Sequence, residues 1–449
     1  YGLIGLRGSS GVLAAGFKYI IATSLASALL LLGAMFVYHL TGTLNIDDLA
    51  ADPALVAGPI GFVALLLVLT SLLIELKPWP ANGWGLDVYE TAPGAIAALI
   101  SVGVSAGVLF ALFKVMPLLD GYLTSIAVVG GLTFLVSNLI GLKQVNAQRL
   151  LGYSSIGQMG LLTLALAILQ QLELPQYLPL IVAGLFVNHL LAKAGLFWLA
   201  GLVQRERIDA WSAVASRPMV VVSFGILIAA LIGLPPFPGF WAKWELILQL
   251  AAAAHYGWIA VVLLGSLLEA AYLFRWFGHL LRPAEVPAVH IGVRQLLPVL
   301  IVVLMLFGAG YPGLRASVSD FAPLLLPLGA GALLWLVDAL PGRLKALLTL
   351  AAVGAGGWWL VNGLQGLNLI FAVLLVGGGL LVALASLYRG DVRKGFYPLL
   401  TVLLLSMAAL LRAGTSLELF FNWELMTLSS YLIITLGPVS YTHLTLPTN

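Results

Sequence analysis

The sequence contains no cysteine, and only 9% of its 449 residues are charged. The absence of cysteine excludes disulfides, thiolate-held metals and iron–sulfur clusters. Roughly a quarter of the residues of a soluble protein are charged, so the low charge excludes an ordinary soluble domain. The formal net charge of +3 is too small to indicate nucleic-acid binding. We therefore expect no nucleic-acid partner, no metal and no other cofactor.

Apolar residues are abundant instead and make up 61% of the chain. Runs of about 20 such residues, each long enough to cross a lipid bilayer as a helix, recur from end to end. They predict an all-α fold, a polytopic transmembrane helical bundle. We count fourteen spans, at residues 12–38, 54–76, 93–118, 121–142, 147–171, 177–203, 219–253, 256–281, 294–310, 323–338, 345–363, 367–388, 397–412 and 418–437.

The positive charges in the loops agree with this count. With the N-terminus inside, the outside loops contain only Arg315 and Arg412 as basic residues. The basic residues of the inside loops are Arg7, Lys77, Lys143, Arg149, Arg205, Arg207, Arg217, Arg282, Arg294, Arg343, Lys345, Arg389, Arg393 and Lys394. This asymmetry is the positive-inside pattern of membrane proteins.

One span is interrupted, at LIGLPPFPGFWAKWELIL, residues 231–248. The residues that break it are Pro235, Pro236, Pro238 and Gly239. Proline removes a backbone donor and clashes with the preceding turn, so a helix cannot continue through this segment. Because Lys243 follows the break directly, the segment predicts an ion site in a discontinuous transmembrane helix, as transporters use. A plain loop between two shorter spans is the alternative.

Ionisable side chains within the spans are further candidates for function. A charge at mid-bilayer costs about 2.5–3.5 kcal/mol on insertion scales, so such residues usually face a polar interior. They are Lys18, Lys77, His189, Lys193, Lys243, Glu269 and Glu424. His189 and Lys193 are four residues apart and share one helix face. Burial disfavours a charged amine and a nearby acid favours it, so such a series can take up and release protons.

These candidates also have simpler interpretations. A long side chain near a span end can reach the membrane interface, which would explain Lys18, Lys77 and Glu424. Lys193 and Glu269 would otherwise form a structural ion pair, and His189 would be a hydrogen-bonded core histidine.

Five stretches together resemble the antiporter-like membrane subunits of respiratory complex I, a family that includes subunits of Mrp-type cation/proton antiporters and membrane-bound hydrogenases. The stretches are AGFKYIIATSLASALLLLGA (15–34), GLDVYETAP (85–93), QVNAQRLLGYSSIGQMG (144–160), VNHLLAKAGLFWLAG (187–201) and LIGLPPFPGFWAKWELI (231–247). They follow the family's order and spacing across residues 1–281. The resemblance implies two inverted five-helix repeats, each with a broken helix and a half-channel.

The resemblance also implies roles for the lysines. Lys18 matches the lysine of the family's sixth helix, Lys77 that of the seventh-helix break, and Lys193 that of the eleventh helix. Lys243 matches the charged residue after the twelfth-helix break. Pro78 and Pro80 follow Lys77 in KPWPANGW, which resembles PPFPGFWAKW at the second break.

By this resemblance the chain is expected to translocate protons through buried lysines and glutamates. It would act as a subunit of a complex I-like NADH:quinone oxidoreductase or a membrane hydrogenase, without a redox centre of its own. Its partners would be other membrane subunits in a bacterial or archaeal inner membrane. An Mrp-type sodium/proton antiporter subunit, an energy-coupling subunit for inorganic-carbon uptake and an inactive structural subunit remain alternatives.

The chain departs from the family pattern at three places. Ser105 stands where many relatives have the eighth-helix lysine, and it cannot carry a proton charge. Glu269 lies in the thirteenth helix, where we expect no charged residue. Pro80, Ala81 and Asn82 replace the usual Pro-Phe-His before Trp84. Glu269 would then substitute for the missing site, or the module would be uncoupled.

Residues 414–437 resemble the family's fifth helix, with Glu424 as its glutamate. In the family that helix precedes the lysine spans, whereas here it lies near the C-terminus. We therefore expect residues 1–310 to be a module lacking its first helices through the fifth, and residues 323–437 to be the N-terminal helices of a second module. Residues 438–449, PVSYTHLTLPTN, are expected to be a non-native tail, with a genuine polar tail as the alternative. With the missing initiator Met, this predicts a fragment of a longer reading frame.

Overall fold

The computed structural model describes residue 4 and residues 10–282, 287–316, 318–387 and 394–436. The expected tail at 438–449 lies outside the described residues. The described part of the chain is helical without a named strand, which confirms the predicted all-α class. The α-helices are α1 (Ser10–Thr41), α2 (Ile46–Ala51), α3 (Pro59–Leu76), α4 (Gly83–Thr91), α5 (Gly94–Leu99), α6 (Ser105–Val115), α7 (Leu123–Gly141), α8 (Ala147–Gln171), α9 (Gly184–Val203), α10 (Pro218–Ile232), α11 (Pro238–Ala252), α12 (Tyr256–Leu280), α13 (Val293–Ala316), α14 (Val318–Leu336), α15 (Gly342–Val361), α16 (Gly366–Ser386), α17 (Phe396–Leu410) and α18 (Ser416–Leu436).

Ten helical segments of the described chain are long and apolar enough to cross a membrane, so the protein is an integral multi-pass membrane protein. A π-helical turn, Ile100–Val104, joins α5 to α6 within one such segment. Another, Pro179–Ala183, leads into α9. Shorter apolar helices add to these ten, and they are Pro218–Ile232, Leu324–Leu336 and Phe396–Leu410. The count of fourteen spans stays a prediction.

Two helices stop and restart within the fold. α3 ends before Lys77, whose backbone is left-handed with φ of 60°, and α4 restarts at Gly83. α10 ends before Gly233, which has φ of 90°, and α11 restarts at Pro238. Proline suits a first helical position because its missing N–H would have no helical partner there. The prolines therefore divide each helix and position a lysine at or just after the break.

The chain divides into two compact units, Tyr1–Gly313 and Leu314–Asn449. In the first unit α8 lies at the centre, and every residue from Leu150 to Leu169 is buried. Gly130 of α7 faces Gly160 of α8 so closely that a Cβ on Gly160 would lie 2.6 Å from the Gly130 carbonyl oxygen. Small residues permit such close contact, and van der Waals packing then holds transmembrane helices together.

The second unit contains helices α14 to α18 and has its own buried polar group. Lys345, near the start of α15, donates to Asp338 Oδ1 at 2.9 Å and to the Asp338 carbonyl at 3.0 Å. The other carboxylate oxygen of Asp338 accepts the backbone N–H of Gly395 at 2.8 Å. This ion pair therefore ties α15 to the segment that begins α17.

Candidate functional site

The first break buries the amine of Lys77 against oxygen atoms and aromatic rings. Its Nζ donates to the carbonyl of Glu75 at 3.0 Å and lies 3.5 Å from Ser105 Oγ. The rings of Trp84 and Tyr89, both on α4, lie 5.5 and 5.9 Å from the amine. The carbonyls at the end of α3 lack helical partners and carry the negative end of the helix dipole, so they favour a cation here.

The second break repeats this arrangement. Lys243 Nζ donates to the carbonyl of Ile232 at 3.0 Å and lies 3.5 Å from that of Leu231, both at the end of α10. The side chain of Lys243 is buried. In both breaks a buried lysine amine thus satisfies the terminal carbonyls of the half-helix that precedes it.

Between the two breaks, α9 contributes His189 and Lys193, and both are fully buried. Lys193 Nζ donates to the carbonyl of Leu151 on α8 at 3.3 Å. His189 Nε2 lies 3.4 Å from the carbonyl of Ser101 in the π-helical turn, while Nδ1 has no hydrogen-bond partner among the described residues. Beside them, the hydroxyls of Ser101 and Ser155 are 2.7 Å apart. The structure thus brings both predicted α9 residues to the interior, facing α8 and the π-helical turn.

Glu269 of α12 is also buried against α8. Its Oε1 accepts the Ser154 hydroxyl at 2.6 Å, and its Oε2 accepts the Gln158 side-chain amide at 2.5 Å. Lys77, His189, Lys193, Lys243 and Glu269 are thus all buried within the first unit.

Lys18 lies apart from this buried series. Its Nζ is 2.5 Å from Asp87 Oδ2, and 56% of its side chain is exposed. Arg149 Nη1 donates to Asp87 at 2.9 Å and to Glu90 at 2.5 Å. These four charges join α1, α4 and α8.

The other predicted acid, Glu424, is half-buried on α18 in the second unit. No group of three or more His, Asp or Glu side chains that could hold a metal ion occurs in the described part of the chain.

Sequence reasoning did not single out Gln158, one of the two polar partners of Glu269. Gln158 was unrecognised because a neutral amide gives no signal of its own. Its spacing of four residues from Ser154 places both on one face of α8, and that spacing was the available indication. Tyr272, which donates to Asn138 Oδ1 at 2.8 Å, was likewise missed among the aromatic residues of an apolar span.

Interrupted helices with buried amines at both breaks lie inside a multi-pass helical bundle, an arrangement that transporters use. Residues 1–269 match the family model described as NADH:quinone oxidoreductase/Mrp antiporter, transmembrane. That match covers more than half of the chain, so the chain belongs to this family, and the resemblance drawn from the five sequence stretches is confirmed.

Named relatives agree with this membership. NADH-quinone oxidoreductase subunit N of Desulforudis audaxviator is 31% identical over 288 residues, which cover 61% of this chain and 56% of the relative. NADH-quinone oxidoreductase subunit 14 of Thermus thermophilus is 30% identical over 361 residues, which cover 80% of this chain and 72% of the relative. The chain spans little more than half the length of the first curated relatives it matches.

Solved structures resemble the chain as well. A chain in respiratory complex I from Thermus thermophilus with bound aureothin matches with a TM-score of 0.61 and 28% identity, over 70% of each chain. A chain of the Mrp complex from Dietzia sp. matches with a TM-score of 0.59 and 23% identity, over 69% of this chain and 67% of that one, and at this identity it shows the fold alone.

Proposed function

We propose that this chain translocates protons as an antiporter-like subunit of a complex I-like NADH:quinone oxidoreductase or a membrane hydrogenase. It would do so in a bacterial or archaeal inner membrane, beside other membrane subunits. The names of its relatives support the class of complex. The buried series of ionisable side chains supports the transported ion, because lysine and histidine exchange protons and a lysine ammonium has no lone pair with which to bind a metal cation.

The observation that carries the proposal is the burial of ionisable side chains at the two helix breaks and on the helices packed around them. Lys77, His189, Lys193, Glu269 and Lys243 are all buried within one unit. A lone charge is costly inside a membrane, whereas a connected series can share one cation among several positions.

The division of the chain fits this role. Residues 1–310 form the antiporter-like module that contains both breaks, and residues 323–437 are the first helices of a second module. Glu424 lies in that second module, and Lys18 lies in the first module as an exposed side chain paired with Asp87. Protons move through Lys77, Lys193 and Lys243, while electron transfer takes place in partner subunits.

The test uses membrane vesicles that contain the complex with the full-length parent of this chain. Lys193→Ala and Lys243→Ala should each lower proton uptake by about tenfold or more, since each removes a proton-holding group. Lys193→Arg should not restore uptake, because arginine scarcely releases its proton. Lys143→Ala is the matched control, since Lys143 is an exposed loop lysine, and it should pump at the wild-type rate.

Two results would assign the chain a different function. Wild-type pumping by both alanine variants would assign the chain a structural role. Proton movement driven by an imposed sodium gradient, without an electron donor, would place it with Mrp-type sodium/proton antiporters.

A further inference from the structure

The proline break leaves two backbone carbonyls at the end of α10 without a helical donor. In an unbroken helix the carbonyls of Leu231 and Ile232 would accept the N–H groups of the residues four positions later. Those residues are Pro235 and Pro236, and proline has no N–H. The amine of Lys243 replaces the missing donors, since its Nζ lies 3.0 Å from the Ile232 carbonyl and 3.5 Å from that of Leu231.

The carbonyl just before these two, that of Ala230, has a side-chain donor from another helix. Asn188 Nδ2 on α9 donates to it at 2.8 Å, and the backbone N–H of Gly233 also donates to it at 3.1 Å. The first bond sets the orientation of the amide, because in the reversed orientation two oxygen atoms would face each other. Three successive carbonyls at the end of α10 therefore accept hydrogen bonds from Asn188 and Lys243.

The same amide packs against the start of α11. A Cβ on Gly239 would lie 2.5 Å from Asn188 Nδ2 and 2.7 Å from its Cγ, so glycine leaves the room that the amide needs. Gly239 and Lys243 are four residues apart on α11 and therefore lie on one helix face. Asn188 thus contacts both halves of the broken helix, the end of α10 and the face of α11 that carries the lysine.

Packing alone does not account for an asparagine at this position. Asn188 is 4% exposed, and its Oδ1 has no hydrogen-bond partner among the described residues. A buried oxygen without a partner costs free energy, so an apolar side chain of similar size would pack here at a lower cost. The hydrogen bond from Nδ2 to the Ala230 carbonyl is therefore the contact for which the amide is required.

We infer that Asn188 is a positioning residue for Lys243. By holding the Ala230 carbonyl, it keeps the end of α10 where the next two carbonyls face the lysine amine. A proton moves only between groups within hydrogen-bond reach, so an amine that loses this position exchanges protons more slowly. Asn188 itself carries no proton during transport. This inference rests on the proposed proton-translocating function and adds a residue that acts through Lys243.

The first measurement is the number of protons taken up per electron transferred, in vesicles that contain the complex with the full-length parent of this chain. This ratio does not depend on how much of the complex assembles. Asn188→Leu keeps the size of the side chain and removes the donor, so the ratio should fall several-fold. An unchanged ratio would overturn the inference.

Asn422→Leu on α18 is the matched control. Asn422 is also a buried asparagine whose Oδ1 has no hydrogen-bond partner among the described residues. Its Nδ2 donates to the Glu418 carbonyl of its own helix at 2.9 Å, so it joins no two helices by that bond. We expect Asn422→Leu to keep the wild-type ratio. A fall as large as that of Asn188→Leu would show a general effect of losing a buried amide and would overturn the inference.

Gly239→Ala disturbs the same hydrogen bond without removing a polar group. The new methyl group would meet Asn188 Nδ2 and displace the amide from the Ala230 carbonyl, so the ratio should fall as it does in Asn188→Leu. Asn188→Ala leaves the space beside Gly239 empty, so adding Gly239→Ala to it should lower the ratio no further. A further fall in the double variant would mean that Gly239 acts independently of Asn188, and would overturn the inference.

A spectroscopic signature separates positioning from a purely structural role. In nitrogen NMR of the complex with isotope-labelled lysine side chains, the signal that is lost in Lys243→Ala belongs to Lys243. That signal should shift in Asn188→Leu and stay unchanged in Asn422→Leu. The Lys77 signal, assigned in the same way, should stay unchanged in both variants. A Lys243 signal at its wild-type position in Asn188→Leu would overturn the inference.

The outcomes separate this inference from the function on which it rests. If Lys243→Ala lowers the ratio but Asn188→Leu and Gly239→Ala do not, the chain translocates protons and the positioning role is wrong. If Lys193→Ala and Lys243→Ala both pump normally, the proposed function itself fails. Because Gly239→Ala retains every polar group, it tests the inference even if Asn188→Leu does not assemble.

Discussion

The side chain of Lys243 occupies the space beside Gly233 that a larger residue would need. A Cβ on Gly233 would lie 3.2 Å from Lys243 Cδ and 3.4 Å from its Nζ. The backbone of Gly233 is also left-handed, with φ of 90°. The end of α10 and the amine of the second break therefore depend on the same glycine.

Gly233→Ala should harm both stability and transport. The left-handed backbone costs a residue with a Cβ about 1–2 kcal/mol, and the new methyl group displaces the lysine from the carbonyl of Ile232. We expect a lower thermal unfolding midpoint in detergent and proton uptake reduced several-fold. Gly107→Ala in α6, where a Cβ meets nothing within 4 Å, should leave both unchanged. An unaltered uptake rate in Gly233→Ala would contradict the role of this contact.

A second prediction concerns the two hydroxyls that join α8 to the π-helical turn. Ser101→Ala and Ser155→Ala each leave the other hydroxyl buried and without its 2.7 Å partner. The double variant removes both groups, so its loss of stability should be smaller than the sum of the two single losses. We expect a coupling of about 1 kcal/mol in a double-mutant cycle on thermal unfolding. Strict additivity would mean that the two hydroxyls do not stabilise each other.

The buried ion pair of the second unit gives a third prediction. The side chains of Lys345 and Asp338 are 7% and 10% exposed, so Lys345→Met leaves a buried carboxylate unpaired. Breaking such a pair costs about 3–5 kcal/mol. Adding Asp338→Asn should recover part of this loss, because asparagine is neutral and still accepts the N–H of Gly395. Lys114→Met, which breaks an exposed pair with Asp47, should cost about 1 kcal/mol or less. If Lys345→Met were as stable as the wild type, the pair between Lys345 and Asp338 would not stabilise the second unit.

The fourth prediction concerns Arg149, which donates to Asp87 and Glu90 together. Arg149→Gln should loosen α4 from α8, and Arg149→Lys should restore only part of the stability, because an ammonium lacks the planar fork of a guanidinium. The stability of each variant is measured by thermal unfolding of the purified complex. Arg207→Gln is the control, since its pair with Asp209 is exposed and should contribute little. Full recovery in Arg149→Lys would show that charge alone matters here.

The sequence was sufficient for the breaks and for most of the buried charges. Proline chemistry is local, so the prolines after Gly233 predicted an interrupted helix wherever the rest of the chain lay, whereas the break at Pro78 and Pro80 was expected from the family resemblance. Lys193 and Glu269 were recognisable because a charge is rare in an apolar span. That the two lie close enough to interact depends on how α9 and α12 pack around α8, and no pattern along a single helix contains that information.

The positions of Lys18 and Gln158 show the same limit. Lys18 lies in an apolar run like the other lysines, but the rotation of α1 exposes it and pairs it with Asp87. Hydropathy gives the depth of a residue along a helix and not the direction in which it points. Gln158 is polar yet neutral, so its importance became visible only when its partner across the helix contact was known.

The complete enclosure of α8 has a consequence for biosynthesis. The helices that cover it from the C-terminal side, α9 and α12 among them, leave the ribosome later than α8 itself. Ser154 and Gln158, whose partner Glu269 lies on α12, therefore enter the bilayer before that partner is synthesised. During that interval the insertion machinery, neighbouring subunits or trapped water must shelter them, so the nascent chain is most vulnerable to quality control between the synthesis of α8 and that of α12.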